Sequence, residues 1–97
     1  MSSSIDHFVR ISDSLKSVHN FGAGLFNLGQ HLEAFRFYQG ALSILMDLFD
    51  DRPDLKIIIA DGLRELDLTN SNDQLKAYRL HEVIEQVRNQ LRSKSPI

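Results

Sequence analysis

Apolar residues recur along almost the whole chain at alternating steps of three and four, the spacing that lines up one face of an α-helix. The pattern breaks at Gly29, at Pro53 within an aspartate-rich stretch, and at the polar run 69–72. Glycine ends many helices because it accepts a left-handed backbone, and proline is favoured in the first turn of a helix. Four helices are therefore predicted, at about residues 5–28, 32–49, 53–67 and 72–93.

These elements predict an all-α fold of four antiparallel helices, arranged either as two helical hairpins or as a bundle. A chain of 97 residues fits a single domain, here spanning 1–97 with frayed tails at 1–4 and 94–97. The second helix is apolar around most of its circumference, with one narrow polar stripe. Such a helix is expected to be covered on most sides, so it is predicted to be the central element.

Two glycines fall inside the first helix, at Gly22 and Gly24. A glycine there costs roughly 1 kcal/mol relative to alanine. Both are therefore interpreted as positions where a neighbouring helix approaches closely, rather than as a kink or a ligand contact.

The composition of the chain argues against several classes of protein. Eleven Lys and Arg against thirteen Asp and Glu give a net charge of −2, which disfavours a general nucleic-acid binder. No apolar run approaches the roughly 20 residues that span a bilayer, and the first residues lack the pattern of a signal peptide. The absence of cysteine excludes thiolate catalysis and cysteine-ligated metals. A cytoplasmic protein that binds neither nucleic acid nor membrane is predicted.

No spacing typical of a catalytic or metal site is present. None of the four histidines belongs to a Glu-x-x-His, His-Glu-x-x-His or His-x-x-x-His motif, so structural or surface roles are predicted for His7, His19, His31 and His81. Four aspartates between residues 47 and 54 lack the EF-hand pattern and are assigned to helix capping and surface, with a weak cation site or a site for a basic partner as the alternative. We predict no enzymatic activity, no cofactor and no tightly held metal ion.

The segment 18–42 resembles one tetratricopeptide repeat. The matching residues of its first helix are Asn20, Phe21, Gly22, Leu25 and Phe26, and those of its second helix are Gly29, Glu33, Ala34, Phe35, Tyr38, Gln39, Ala41 and Leu42. The resemblance implies a hairpin packed through Gly22, Leu25, Ala34, Tyr38 and Ala41, and a role in binding proteins.

Two further resemblances concern larger parts of the chain. A hairpin extended by a third helix is similar to the microtubule-interacting and trafficking domain, whose three helices accept a partner helix in a groove. The Gly-x-x-Leu-aromatic-Asn segment, in Gly22, Leu25, Phe26 and Asn27, resembles that of small uncharacterised bacterial four-helix domains. The second resemblance implies a fold rather than an activity.

The leading hypothesis is a non-enzymatic protein–protein interaction or scaffold module. The segments 32–37 and 75–80 share the pattern Leu, charge, Ala, aromatic, Arg, apolar, which indicates matching roles for two helices. Phe37 is the predicted outward anchor for a protein partner or a second copy, with Arg36 and Arg79 at its rim. The alternatives are a structural homodimer and a bundle that binds a small ligand.

Overall fold

The computed structural model describes residues 4–68 and 72–93, and within these ranges it contains four helices and no strand. Every helix begins and ends within one residue of its predicted boundary. The predicted tail at 94–97, residues 1–3 and the turn residues 69–71 lie outside the described part of the chain. The helices are α1 (Ser4–Asn27), α2 (His31–Leu48), α3 (Pro53–Leu68) and α4 (Asp73–Ser93).

Short-range hydrogen bonds fix two of the helix ends. Gly29 has a φ of +83°, and after it the amide of Gln30 donates to the Leu25 carbonyl at 3.0 Å, which closes the last turn of α1. The side-chain oxygen of Asn72 accepts from the amide of Leu75 at 2.9 Å, which satisfies one free donor at the start of α4. Glycine and a polar capping residue therefore end and begin these helices as the sequence predicts.

Within each hairpin, residues late in the first helix contact residues early in the second helix, and residues early in the first contact residues late in the second. Phe26 meets His31 and Phe21 meets Phe37 where α1 packs on α2. The same reversal relates α3 to α4, in the pairs Asp54–Gln90 and Glu65–Arg79. Each hairpin is antiparallel in this respect.

Two helices share the centre of the bundle. Among the described residues, α2 and α4 each contact all three other helices, whereas α1 and α3 do not contact one another. The prediction that α2 is central and packed by several helices is confirmed, but α4 shares this position. Ile44 and Leu48 on α2 are 66% and 57% exposed, because α1, α3 and α4 cover only part of its circumference. The largest share of the core comes from α4, through Ala77, Leu80, Val83, Ile84, Val87 and Leu91.

Glycine permits a close helix approach once in each hairpin. A Cβ at Gly22 would overlap the ring of Tyr38, which is buried. The hydroxyl of Tyr38 donates a hydrogen bond to the carbonyl of His19 at 2.9 Å. A Cβ at Gly62 would lie 2.5 Å from the Cγ2 of Val83. The packing prediction is confirmed for Gly22. It is wrong for Gly24, which is exposed and has no atom within 4 Å of its Cβ position.

The other residues expected to pack α1 against α2 differ in their burial. Ala34 and Tyr38 are fully buried, whereas Leu25 and Ala41 are half-buried. Ala34 and Ala77, which occupy equivalent places in the two matching segments, are both inaccessible to solvent. The two central helices thus use the same small residue where the bundle is tightest.

Candidate functional site

An apolar groove runs along the outer side of α1 and α2, with a volume of about 360 Å³. We call it the α1–α2 groove. Among the lining residues that the structure describes, only Arg10 is charged, and Ile44 and Leu48 form the most exposed edge. The lining residues are Arg10, Ile11, Ser14, Leu15, Val18, Ala41, Ile44, Leu45 and Leu48.

An aromatic pair lies one helical turn beyond this groove. Phe21 follows Val18 by three residues on α1, and Phe37 precedes Ala41 by four on α2, so both share the groove's side of their helices. The centroids of the two rings are 4.8 Å apart. Phe37 is half-buried against the core and Phe21 is exposed. Phe37 therefore does not point freely outward as expected, because the neighbouring ring of Phe21 covers part of it.

The two arginines predicted at the rim lie in different surroundings. Arg79 on α4 forms ion pairs with Glu65 of α3 and with Glu82, at 3.3 Å in the second case. Arg36 is exposed on α2. Arg79 thus contacts α3, whereas the ring of Phe37 contacts Phe21 of α1. Their role in partner binding stays a prediction.

Three polar side chains from α1 and α4 meet in a second place, which we call the histidine–glutamate cluster. It consists of His19, His81 and Glu85, and one nitrogen or oxygen atom from each lies within 4.8 Å of the others. The Nε2 of His19 is 3.3 Å from Oε1 of Glu85, and the two imidazole centroids are 4.3 Å apart. All three residues are partly buried.

The cluster leaves one buried nitrogen atom without a polar partner. Among the described residues, Nδ1 of His81 has no hydrogen bond, whereas the buried Nε2 of His19 faces Oε1 of Glu85 at 3.3 Å. The other nitrogen of His19, Nδ1, lies 3.3 Å from the side-chain oxygen of Asn20. The tautomer with its hydrogen on Nδ1 donates to this oxygen and keeps a lone pair on Nε2, whereas the other tautomer directs the hydrogen of Nε2 towards Oε1 of Glu85.

Neighbouring groups set the electrostatics of the cluster. Arg88 donates to the second carboxylate oxygen of Glu85 at 3.3 Å, which leaves Oε1 facing His19. Burial, with a smaller contribution from His19, lowers the pKa of His81. Burial, together with the charge of Glu85, raises the pKa of Tyr38 to about 12. A pocket of about 580 Å³ between α3 and α4 is lined in part by His81 and Glu85, so the cluster has access to solvent.

The sequence hypothesis assigned these residues to surface and structure, and it missed their association. On α4, Glu82 pairs with Arg79 and Glu85 pairs with Arg88, and both glutamates are half-buried. The available signal was the spacing of His81 and Glu85, which places both on one side of α4. The third member, His19, belongs to α1 and joins only through tertiary packing.

Aspartates around the start of α3 form ion pairs with neighbouring basic side chains rather than a set of carboxylates converging on a cation site. Asp50 accepts from Lys56 at 2.8 Å, and Asp54 accepts from Arg52 at 3.1 and 3.2 Å. Asp54 lies in the first turn of α3, where a negative charge is favourable. Local charge pairing therefore accounts for Asp50 and Asp54, in agreement with the surface role predicted for them.

Comparison with known proteins yields no match: no family model, no curated protein and no solved structure is similar to this chain at the threshold applied. In the described ranges, none of the helices is both long and apolar enough for a membrane span. The resemblances noted in the sequence therefore stay predictions, and the geometry of the groove and of the cluster carries the functional argument.

Proposed function

We propose that this chain is a non-enzymatic protein–protein interaction module that docks through the α1–α2 groove, and that the occupant is the same groove of a second copy. The observation that supports this is the exposure of Ile44 and Leu48 along an almost wholly apolar lining. Contiguous apolar patches of this kind on small proteins are typical of interaction sites.

A second copy suits the groove because the same face offers both exposed apolar side chains and an apolar depression. Around a two-fold axis each chain presents the same elements, so the protruding Ile44 and Leu48 of one copy can enter the depression of the other. The described part of the lining carries one charge, at Arg10, and so places few like charges against each other. A partner of opposite charge is not required.

The size of the groove indicates a moderate affinity. An 18-residue α2 is about 27 Å long, so a face two helices wide offers on the order of 500 Å² before surface relief. A standard interface takes about 800 Å² from each partner. A dimer would use the whole face, including Phe21 and Phe37, and we expect a dissociation constant in the micromolar range.

Sedimentation equilibrium over a wide concentration range tests the proposal. The protein is expected to shift from monomer to dimer, and Ile44→Asp combined with Leu48→Asp is expected to keep it monomeric with unchanged helicity by circular dichroism. Ile57→Asp is the matched control, since Ile57 is 59% exposed on α3 and does not line the groove. A wild-type protein that stays monomeric at millimolar concentration contradicts the proposed dimer.

A further inference from the structure

We propose that His19, His81 and Glu85 bind a divalent transition metal ion, with zinc the best match, through two imidazole nitrogens and one carboxylate oxygen. Two histidines and a glutamate are a set of ligands that zinc accepts, together with a fourth ligand such as water. The site lies between α1 and α4, so this inference is independent of the proposed dimer.

The distances suit a four-coordinate ion. Bonds of about 2.0–2.1 Å in a tetrahedral arrangement place two ligand atoms about 3.4 Å apart. Nε2 of His19 and Oε1 of Glu85 are already 3.3 Å apart. The atoms of the cluster all lie within 4.8 Å, so His81 completes the set through a side-chain adjustment of about an ångström.

The unpartnered nitrogen of His81 favours a metal over a simple polar network. Buried polar atoms are nearly always hydrogen-bonded, yet among the described residues Nδ1 of His81 has no such partner, whereas Nε2 of His19 faces Oε1 of Glu85 at 3.3 Å. A metal ion takes a lone pair from each ring and so satisfies His81 together with His19 and Glu85. The absence of a metal-binding spacing in the sequence does not oppose this, because the ligands come from two helices.

The surrounding contacts orient the ligands as outer groups do in metal sites. The side-chain oxygen of Asn20 holds Nδ1 of His19 and so presents Nε2 to the cluster. Arg88 binds Oε2 of Glu85 and leaves Oε1 available. The pocket lined by His81 and Glu85 gives the ion a route from solvent and room for the fourth ligand.

Isothermal titration calorimetry with zinc chloride tests the site on untagged full-length chain that has been treated with a chelator and dialysed. We expect saturable binding of one zinc ion per chain, and no comparable binding of magnesium, which prefers oxygen ligands. The absence of saturable zinc binding overturns the proposal.

Variants identify the ligands. His81→Ala and Glu85→Gln are each expected to weaken zinc binding by at least about tenfold, the lower end of what the loss of even an outer group costs. His31→Ala is the matched control, because His31 lies at the start of α2 against Phe26 of α1, outside the cluster. Equal loss in His31→Ala, or no loss in the two cluster variants, overturns the assignment.

A spectroscopic measurement on the wild-type chain covers the case in which the variants do not fold. Cobalt(II) in a four-coordinate nitrogen and oxygen site absorbs strongly in visible light, whereas the hydrated six-coordinate ion absorbs weakly. We expect such a band on adding cobalt, and its loss when zinc is added. A spectrum that stays that of the hydrated ion overturns the proposal.

Discussion

At the scale of single residues, the two glycines of α1 form a matched pair. The neighbouring side chain decides whether replacing each glycine by alanine lowers or raises the stability. Gly22→Ala is expected to destabilise the protein, because the new methyl group overlaps the buried ring of Tyr38. Overpacking of this kind costs about 1–3 kcal/mol, which exceeds the roughly 1 kcal/mol that alanine gains over glycine in a helix. Chemical denaturation measures the free energy of unfolding.

Gly24→Ala provides the comparison two residues further along the same helix, on a different face. Its Cβ would have no atom within 4 Å, so the helix propensity acts alone and the variant is expected to be more stable by up to about 1 kcal/mol. If both variants shift the free energy of unfolding in the same direction, the close approach of Tyr38 is not what requires a glycine at position 22.

Single residues also mark the limit of what the sequence predicts. The cost of a glycine inside a helix pointed to Gly22, since a close neighbour is the usual physical reason for it. The same argument failed for Gly24, because sequence spacing does not reveal which side of α1 receives α2. His19 could not be placed beside His81 for a related reason: their contact depends on how α1 packs against α4.

At the scale of elements, the start of α3 is tied to α4 by one carboxylate. Asp54 accepts from Arg52 and also from the side chain of Gln90 at 3.2 Å. The hydrogen bonds and charge of Arg52 are the main reason that the pKa of Asp54 falls from its ordinary value of 3.8 to about 2. Its ionised form is therefore favoured by folding.

This depressed pKa gives the stability a defined dependence on pH. The folded pKa lies below the unfolded one, so the contribution of Asp54 is fully present above pH 4 and is lost as the pH falls towards 2. Asp54→Asn is expected to lower the free energy of unfolding at pH 7 by less than about 1 kcal/mol, since the pair is half-exposed and screened. Denaturation curves from pH 7 to pH 2 should bring the two proteins together.

The exposed neighbour Asp51 supplies the control. Asp51→Asn removes the same charge three residues earlier, just before α3, and its effect on the free energy of unfolding at pH 7 is expected to be small. A difference for Asp54→Asn that persists at pH 2 would mean that packing, and not ionisation, is what position 54 contributes.

Helix boundaries were predicted well because they depend on local chemistry. Gly29 and Pro53 have backbone preferences that act whatever the tertiary context, and both stand where the structure ends or begins a helix. The central place of α2 was predicted but its exposed side was not, because apolar side chains there serve two purposes. Some are core, whereas Ile44 and Leu48 lie on the open side, and composition alone does not separate these roles.

At the scale of the whole molecule, the groove and the cluster both depend on α1. The groove lies between α1 and α2, and the cluster lies between α1 and α4. Neither includes a residue of α3, which instead contacts α2 and α4. An all-α architecture was predictable from periodicity, but the distribution of sites over helix pairs follows from packing that only the folded chain defines.

The lack of contact between α1 and α3 has a thermodynamic consequence. Gly22→Ala acts where α1 meets α2, and Gly62→Ala acts where α3 meets α4. With no shared surface between the two outer helices in the described part of the chain, the losses in the double variant are expected to add within about 0.5 kcal/mol. A double-mutant cycle measures this sum. A larger coupling energy would mean that a disturbance crosses the seam of α2 and α4, so that the two halves of the bundle respond as one mechanical unit.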